Sequence, residues 1–552
     1  MNYVLILVLL SVSYSLATIS KQKINSSITT CPEWYLTQFK NQQKCASTGL
    51  VPENFNTGAV IISDNEVSGS IDKGSNFATS IVTRIINTWK SDRTNGIIPL
   101  LILPVRAETI KKIASVIEKD RDMSSEERSK WKSALVQIGN ANSYQWQQDY
   151  MQPYVNPKTG TTEIRPVKNY GIDRGDNWVD SLPQQITSNP VIAACGIKLG
   201  EPINELNNPD KDIVSGSYGG NIEGYPGGLC LLGDDSFLDN KESTSWQKYA
   251  KEICPTANQN DPTDKVIKVP TSWLRVGHAD EIMKVVKDPQ NKAPCDYAVV
   301  VASPAKAIEL LNQKPDEEFI NFSNKGIDKE NLSKMKNWEG FLYICRAINF
   351  SKDHVNPNNT DSPRNKVKGT HFFKKIIDTI INTSYAQAVL LDGPPPSYCD
   401  IGKVKNADVA KIFKDPNNPL GIYNDLVAQK IKGLIVELKA RNEAIGCKDT
   451  KILELPDLFY SDVDPIKKAD NTYELPLGTG LSLFPNPTNS ISVNNSVITP
   501  QQFNKSFEKS ITDSYKEIHL GVEFVDSFES AHMKNGNLHC STNTIHFCGK
   551  GN

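Results

Sequence analysis

The chain has 552 residues, 38% of them hydrophobic and 22% charged, a balance that excludes wholesale disorder and leaves ample length for a substantial core. Sixty-one basic against 63 acidic residues give a formal net charge of −2, so no general field exists to gather nucleic acid or an anionic membrane surface. Any charged ligand has to be met locally.

The N-terminus carries an apolar run from Tyr3 to Leu10, followed by Ser15-Leu16-Ala17, small residues at the two positions a signal peptidase reads. That run is far shorter than the ~20 residues a spanning helix needs. Residues 1–17 are expected to be a secretory signal that makes the chain secreted or lumenal, against the alternative of an apolar N-terminal strand or helix. No basic residue lies near Met1, and no other segment is expected to cross a bilayer. Residues 18–55 are polar, hold Cys31 and Cys45, and read as a lead-in rather than core. The folded domain is expected over 56–552.

Within it, "GAVIIS" (58–63) and "GIIPLLILPV" (96–105) read as buried strands, and Ile110, Ile113, Ala114 and Ile117 fall at the i, i+3, i+4, i+7 spacing of a helix. "VIAACGI" and "LCLLGD" read as strands, "STSWQKYAKEI" as a helix, "DYAVVVAS" as a buried strand and "AKAIELL" as the helix after it. Ile431, Leu434, Ile435 and Leu438 repeat the helical spacing, with Gly446 as its cap. The segments 351–371 and 391–400 read as surface insertions. Mixed α/β units recur without an exact sequence repeat, and repeated units can share shape with little sequence.

Eleven cysteines are present. With Cys540 set aside ten remain, which is compatible with disulfides in an oxidising compartment but reveals no pairing. Eight Asn-x-Ser/Thr sequons point weakly the same way. Of seven histidines, His278 stands in "RVGHADEIM", two residues before Asp280. In an extended strand the two side chains would share a face, which suits an acid/base pair or a cation pocket. The bland alternative is a core histidine and a turn-capping aspartate. "SYGGNIEGYPGG" (217–228) lacks the Lys-Ser/Thr of a P-loop and reads as a glycine turn. The C-terminal "HCSTNTIHFC" offers Cys540 as a nucleophile, or His539, Cys540, His546 and Cys548 as a zinc-like cluster, though the spacing fits no common finger.

Taken in order, "YQWQQD", "GGNIE", "VPTSWLRVGHADEIM", "VEFVDSF" and "HMKNGNLHCSTN" resemble the catalytic domain of the protein-arginine deiminases, within the guanidino-group-modifying superfamily. The resemblance covers roughly residues 56–548. It implies a five-bladed, pseudo-symmetric α/β propeller (the pentein fold), each blade a ββαβ unit, with the site on the central axis. It further implies Asp149, His278, Asp280 and Cys540 as catalytic, with Trp146 and Arg174 at the substrate.

The chemistry suits those residues. A guanidinium is a flat, permanent cation with a fork of N–H donors, which two carboxylates can clasp. Held so, its carbon faces the sulfur, and positioning of this kind lowers a barrier by several kcal/mol. The reaction implied is hydrolysis of peptidyl arginine to citrulline and ammonia through a covalent thiouronium on Cys540. Arginine-containing proteins or peptides would be the partners, and no organic cofactor is implied. The alternatives are a deiminase or amidinotransferase for a small guanidine such as free arginine or agmatine, and a non-catalytic secreted protein with the Cys/His metal cluster.

The resemblance leaves calcium open. Vertebrate members are calcium-activated through carboxylate-rich sites beside the catalytic aspartate, and here Tyr150 and Gln152 stand where acidic ligands are expected. The remaining candidates are Gln148 and Glu223 for one site, and Asn169 and Asp173 for the other. Vertebrate members also carry two immunoglobulin-like domains ahead of the catalytic one, which residues 18–55 are too few to hold.

Overall fold

The structure, a computed structural model, describes residues 30–39, 49–64, 71–94, 96–139, 146–156, 159–167, 177–203, 219–234, 254, 265–320, 344, 404–528 and 530–547. The helix read at "STSWQKYAKEI" and the two insertions lie outside the described residues.

β-Branched and aliphatic runs set the sheets. Thr57–Ile62 is buried along its whole length, which suits a strand flanked on both edges and covered on both faces. Thr542–His546 pairs with it antiparallel and Leu100–Leu103 parallel, and Leu135–Gln137 extends the sheet. The strand that follows Cys540 is thereby zipped onto the first long strand of the fold.

The same pattern, a hairpin followed by a crossover to a parallel strand, recurs around the molecule. Ile222–Tyr225 and Leu229–Gly233 pair antiparallel, and Val266–Val269 then joins in parallel. Met283–Lys287, Tyr297–Ser303 and Ile452–Pro456 repeat it, as do Ile491–Val493, Ser496–Pro500 and Gly521–Val525. Met151–Val155, Thr162–Pro166 and Lys198–Leu199 form a further copy, edged by Gly49–Leu50. Five sheets of three or four strands are thus present among the described residues, with two short ribbons beside them.

Helices cover these sheets where the spacing predicts. Ala107–Lys119 buries Ile110, Ile113 and Ile117, and Pro419–Ala444 buries Ile431, Leu434 and Leu438. The latter starts on Asn418, whose side chain accepts from the Leu420 N–H, with Pro419 at the first helical position. It stops where Gly446 turns left-handed at φ 82°, a conformation that glycine adopts without steric penalty. Among the described residues no helix is long and apolar enough to cross a membrane.

Two expectations are corrected. "VIAACGI" is not a strand: Pro190–Ala194 is a short helix, capped by Asn189 and opened by Pro190, and this local capping outweighs the β-branched pair Val191-Ile192. The segment 18–55 is not all peripheral. Tyr35 is fully buried and its hydroxyl donates to the Gly58 carbonyl at 2.7 Å, while Leu50, Val51 and Glu53 are also buried. Polar composition hid this, because a few anchors suffice to dock a mostly polar segment.

Three disulfides join Cys31 to Cys195, Cys230 to Cys254 and Cys295 to Cys447. Cys540 is the free cysteine among the described residues.

Candidate active site

Four separate segments deliver the chemistry-bearing side chains. Gln147–Tyr150 is a tight 3-10 turn ahead of the strand Met151–Val155 and carries Asp149. Ala279–Glu281 is a second such turn, entered from His278. The expected extended His-x-Asp is therefore wrong in its backbone, since His278 precedes a turn and Asp280 lies within it. The expected shared space is right: single donor atoms of His278, Asp280 and Cys540 all lie within 4.8 Å of one another.

The third segment, "FPNPTNS" (484–490), was not read from the sequence as part of a site. Asn486 donates to the Glu281 carbonyl at 2.6 Å and Thr488 to the Asp280 carbonyl at 3.0 Å, which fixes the second turn. Asn489 does more. Its Nδ2 donates to Asp280 Oδ2 at 2.7 Å and lies 3.1 Å from Cys540 Sγ, while its Oδ1 accepts from the backbone N–H of His539 at 2.8 Å and of Cys540 at 3.2 Å. A single amide thus sets the spacing between thiol and carboxylate. The signal that offered it was the density of Asn, Pro and Thr between two strands.

The C-terminal segment supplies Cys540 and His539. The Gln148 N–H donates to the Cys540 carbonyl at 3.4 Å, joining the first and last segments. His278 Nε2 stands 3.9 Å from Asp149 Oδ1. Asp149, His278, Asp280 and Cys540 are each at most 6% exposed.

Burial shapes their titration. It pushes Asp149 well above the usual carboxylate range, with the charge of Asp280 adding to the rise. Burial, then Asp280, Glu281 and Asp149, push the Cys540 thiol well up. Burial also lowers His278 to about 4, against the pull of Asp280. Burial therefore favours a protonated thiol beside a neutral imidazole, with two carboxyl groups close by. A cation placed there favours the ionised forms of both Asp149 and Cys540. Asp280 Oδ1 is buried with no hydrogen-bond partner among the described residues, so it is an acceptor that a cationic N–H donor would satisfy.

Close backbone approach completes the pocket. A Cβ on Gly220 would stand 2.3 Å from His278 Nδ1, and one on Gly536 would stand 2.2 Å from the Trp146 ring. Gly220→Ala is expected to displace the imidazole and to lower kcat/KM by about 100-fold. The measurement is steady-state turnover beside thermal melting. Wild-type turnover by a folded variant would show that His278 needs no such fixed seat.

The other expected residues are placed unevenly. Trp146 immediately precedes the turn that carries Asp149, without a capping bond from its side chain. Gln148 and Glu223 meet, with Gln148 Nε2 2.6 Å from Glu223 Oε1. Arg174, Asn169 and Asp173 lie outside the described residues. The zinc-like reading of the C-terminus is disfavoured by its two imidazoles, which face other partners. His539 bonds Asp280 and Glu53, while His546 bonds the Phe55 carbonyl at 2.9 Å and Thr544 at 3.1 Å. Cys548 lies outside the described residues.

A buried thiol, an imidazole and two carboxyl groups thus stand together on repeated mixed α/β units. The sequence model of the protein-arginine deiminase family matches residues 112–341 and 355–548, more than half of the chain, and the chain belongs to that family. Its members are guanidino-modifying deiminases. Human protein-arginine deiminase type-4 is 28% identical over 116 residues, 20% of this chain and 16% of that protein. The matched stretch is thus a small part of the relative's length. Among solved structures, a C. jejuni agmatine deiminase is similar at a TM-score of 0.43 and 12% identity, covering 91% of this chain and 97% of that one. An Enterococcus faecalis agmatine deiminase is similar at a TM-score of 0.38 and 11% identity, covering 92% and 99%.

Proposed function

We propose that this protein hydrolyses the guanidino group of peptidyl arginine to give citrulline and ammonia, with Cys540 as nucleophile. The observation that carries the proposal is the buried Asp280 Oδ1, an unsatisfied acceptor next to a thiol, an imidazole and a second carboxylate. A guanidinium satisfies that acceptor and neutralises the pocket at once.

The proton inventory supports the reading. The substrate cation enters, Asp149 loses its proton, and Cys540 passes its own to His278 as the sulfur bonds to the guanidinium carbon. The tetrahedral adduct is neutral. His278 then protonates one departing amino group, ammonia leaves, and a thiouronium cation remains on the sulfur. Water attacks that carbon and yields a proton to His278, and the carbon–sulfur bond breaks as the added hydroxyl becomes the ureido carbonyl. That hydroxyl's proton goes to the thiolate, and the proton on His278 makes good the one Asp149 gave up to solvent. Citrulline is neutral, so its hold on the two carboxylates weakens and it departs.

The recurring hairpin-and-crossover sheets support a five-bladed propeller over 56–552, with the site on its axis. Three disulfides support an oxidising compartment, in keeping with a signal at 1–17 and secretion. Calcium fits the Gln148–Glu223 pair in part. Gln148 Oε1 is buried with no hydrogen-bond partner among the described residues, and burial raises Glu223 to about 8, so a hard cation would find two oxygen ligands there. Such an ion would brace the turn that carries Asp149.

The test is citrulline release from a blocked arginine amide, free arginine and agmatine, each with calcium and with a chelator. Turnover of the blocked amide is expected. Turnover confined to free arginine and agmatine overturns the peptidyl assignment and leaves a small-guanidine deiminase. Equal rates with the chelator would remove calcium from the account.

A further inference from the structure

His539 sits beside the thiol, yet its ring faces away from the reaction. Its Nδ1 lies 2.9 Å from Asp280 Oδ2 and its Nε2 lies 2.5 Å from Glu53 Oε1. Ionised carboxylates only accept, so a ring bonded to one on each side has to donate from both nitrogens, and the form that does so is the imidazolium. Glu53 Oε2 in turn meets Lys284 Nζ at 2.5 Å, and Lys284 also donates to the Ser490 carbonyl. Glu53, Lys284, His539 and Asp280 are each at most 7% exposed. Four buried groups of alternating sign therefore run from Lys284, on the strand Met283–Lys287, through Glu53 and His539 to Asp280 in the candidate site, and their charges balance.

We propose that Glu53, Lys284 and His539 are positioning residues that anchor Asp280 Oδ2 and so hold Asp280 Oδ1 turned toward the substrate's guanidinium. The proposal rests on the deiminase reading for what Asp280 binds, but not for how Asp280 is held. Without this chain of charges Asp280 Oδ2 would keep the Asn489 amide at 2.7 Å and the Cys540 thiol at 3.7 Å as its partners, and a carboxylate held by neutral donors alone is free to rotate. Lone buried charges are costly, whereas a balanced row is tolerated. This gives a physical reason for a polar lead-in segment to end in a buried glutamate.

Titration agrees in direction. Burial and Lys284 push His539 down, but the charge of Glu53 and the bonds from Asp280 and Glu53 outweigh them and raise it to about 9. Burial alone would raise Glu53, yet Lys284 and His539 hold it well below the carboxylate range. Besides Glu53, Asp280 and Lys284, the titratable groups whose charges act on or feel His539 are Glu223, His278 and His546. The imidazolium is thus present at neutral pH and is lost as pH rises through about 9.

The experiment compares the wild-type chain with Glu53→Gln and with the double variant Glu53→Gln/Lys284→Met, which removes the orphaned lysine charge and keeps the fold testable. Two readouts are taken: kcat and KM on a blocked arginine amide across pH, and the titration of the His539 ring by histidine-selective NMR. In both variants kcat/KM is expected to fall about 10- to 100-fold. Because Lys284 also pushes His539 down, its loss in the double variant offsets part of the pH shift. The high-pH limb is expected to move down by about one unit or more in Glu53→Gln, where His539 loses its anionic partner and keeps the lysine. The His539 titration should move down with it. A folded Glu53→Gln with the wild-type pH limb, a folded double variant with wild-type kcat/KM, or a His539 ring already neutral at pH 7 in the wild type, overturns the proposal. A wild type that turns over no guanidine overturns the deiminase reading instead, while the NMR titration still decides whether His539 is charged.

Discussion

Cys540→Ser is expected to abolish citrulline release, lowering kcat/KM by about 10⁴-fold or more, while the protein stays folded and still binds substrate. Removing a nucleophile from a set of residues that act together costs on this order, because the remaining groups can only bind and polarise. Serine nearly matches cysteine in shape, and its hydroxyl can accept from Asn489 Nδ2, which lies 3.1 Å from Cys540 Sγ. The melting temperature should therefore move by no more than a few degrees. Its hydroxyl is far less acidic than a thiol, and the neutral His278 at about 4 is a weak base for it. Turnover by the variant above one per cent of wild type would exclude covalent catalysis at residue 540. Unfolding would instead favour a structural role in the C-terminal segment.

Asp280→Asn and Asp149→Asn should both lose activity, by about 10³-fold each, since each takes one charged arm from the cation clasp. Their stabilities should part. Asp280 Oδ2 accepts from Asn489 at 2.7 Å and bonds His539 at 2.9 Å, so its amide leaves a buried imidazolium short of a partner and should cost about 3 kcal/mol. Burial and the charge of Asp280 raise Asp149 well above the usual carboxylate range, which favours its protonated form in the substrate-free protein. An asparagine imitates that neutral acid, so Asp149→Asn should melt at or slightly above the wild-type temperature. Linkage gives the sign: a carboxyl raised on folding contributes its stability at low pH and loses it as pH climbs through the folded value. Chemical denaturation at pH 5 and pH 8 reads this directly. If Asp149→Asn proved as destabilising as Asp280→Asn, the two carboxylates would not differ in charge as described.

The order of short motifs pointed to four residues that stand close together in the fold. "YQWQQD", "GHADEI" and "NLHC" carry Asp149, His278, Asp280 and Cys540, and the structure brings all four together. What those motifs did not reveal is how they are held. Asn489 contacts a carboxylate 209 residues earlier in the chain and a thiol 51 residues later, and Glu53 reaches His539 near the opposite end. No local pattern encodes a pairing across such separations. An asparagine between prolines reads as a turn residue, and a glutamate in a polar lead-in reads as solvated surface.

The sequence by itself determined the elements whose physics is local. The buried strands follow from runs such as "AVII" and "YAVVVAS", whose branched side chains favour extended backbone. The long helix Pro419–Ala444 follows from apolar spacing, an Asn-Pro start and a glycine stop. Where two local signals competed the reading failed: at "VIAACGI" branched residues pointed to a strand, while the Asn189 cap and Pro190 made a helix. Only the tertiary structure decided that His278 and Asp280 meet across a turn, that the last strand closes on the first long one, and that the imidazole beside the thiol lies between two carboxylates. Each of these depends on removing groups from water and placing them against distant partners, and burial and electrostatic complementarity come into existence only when the chain has closed.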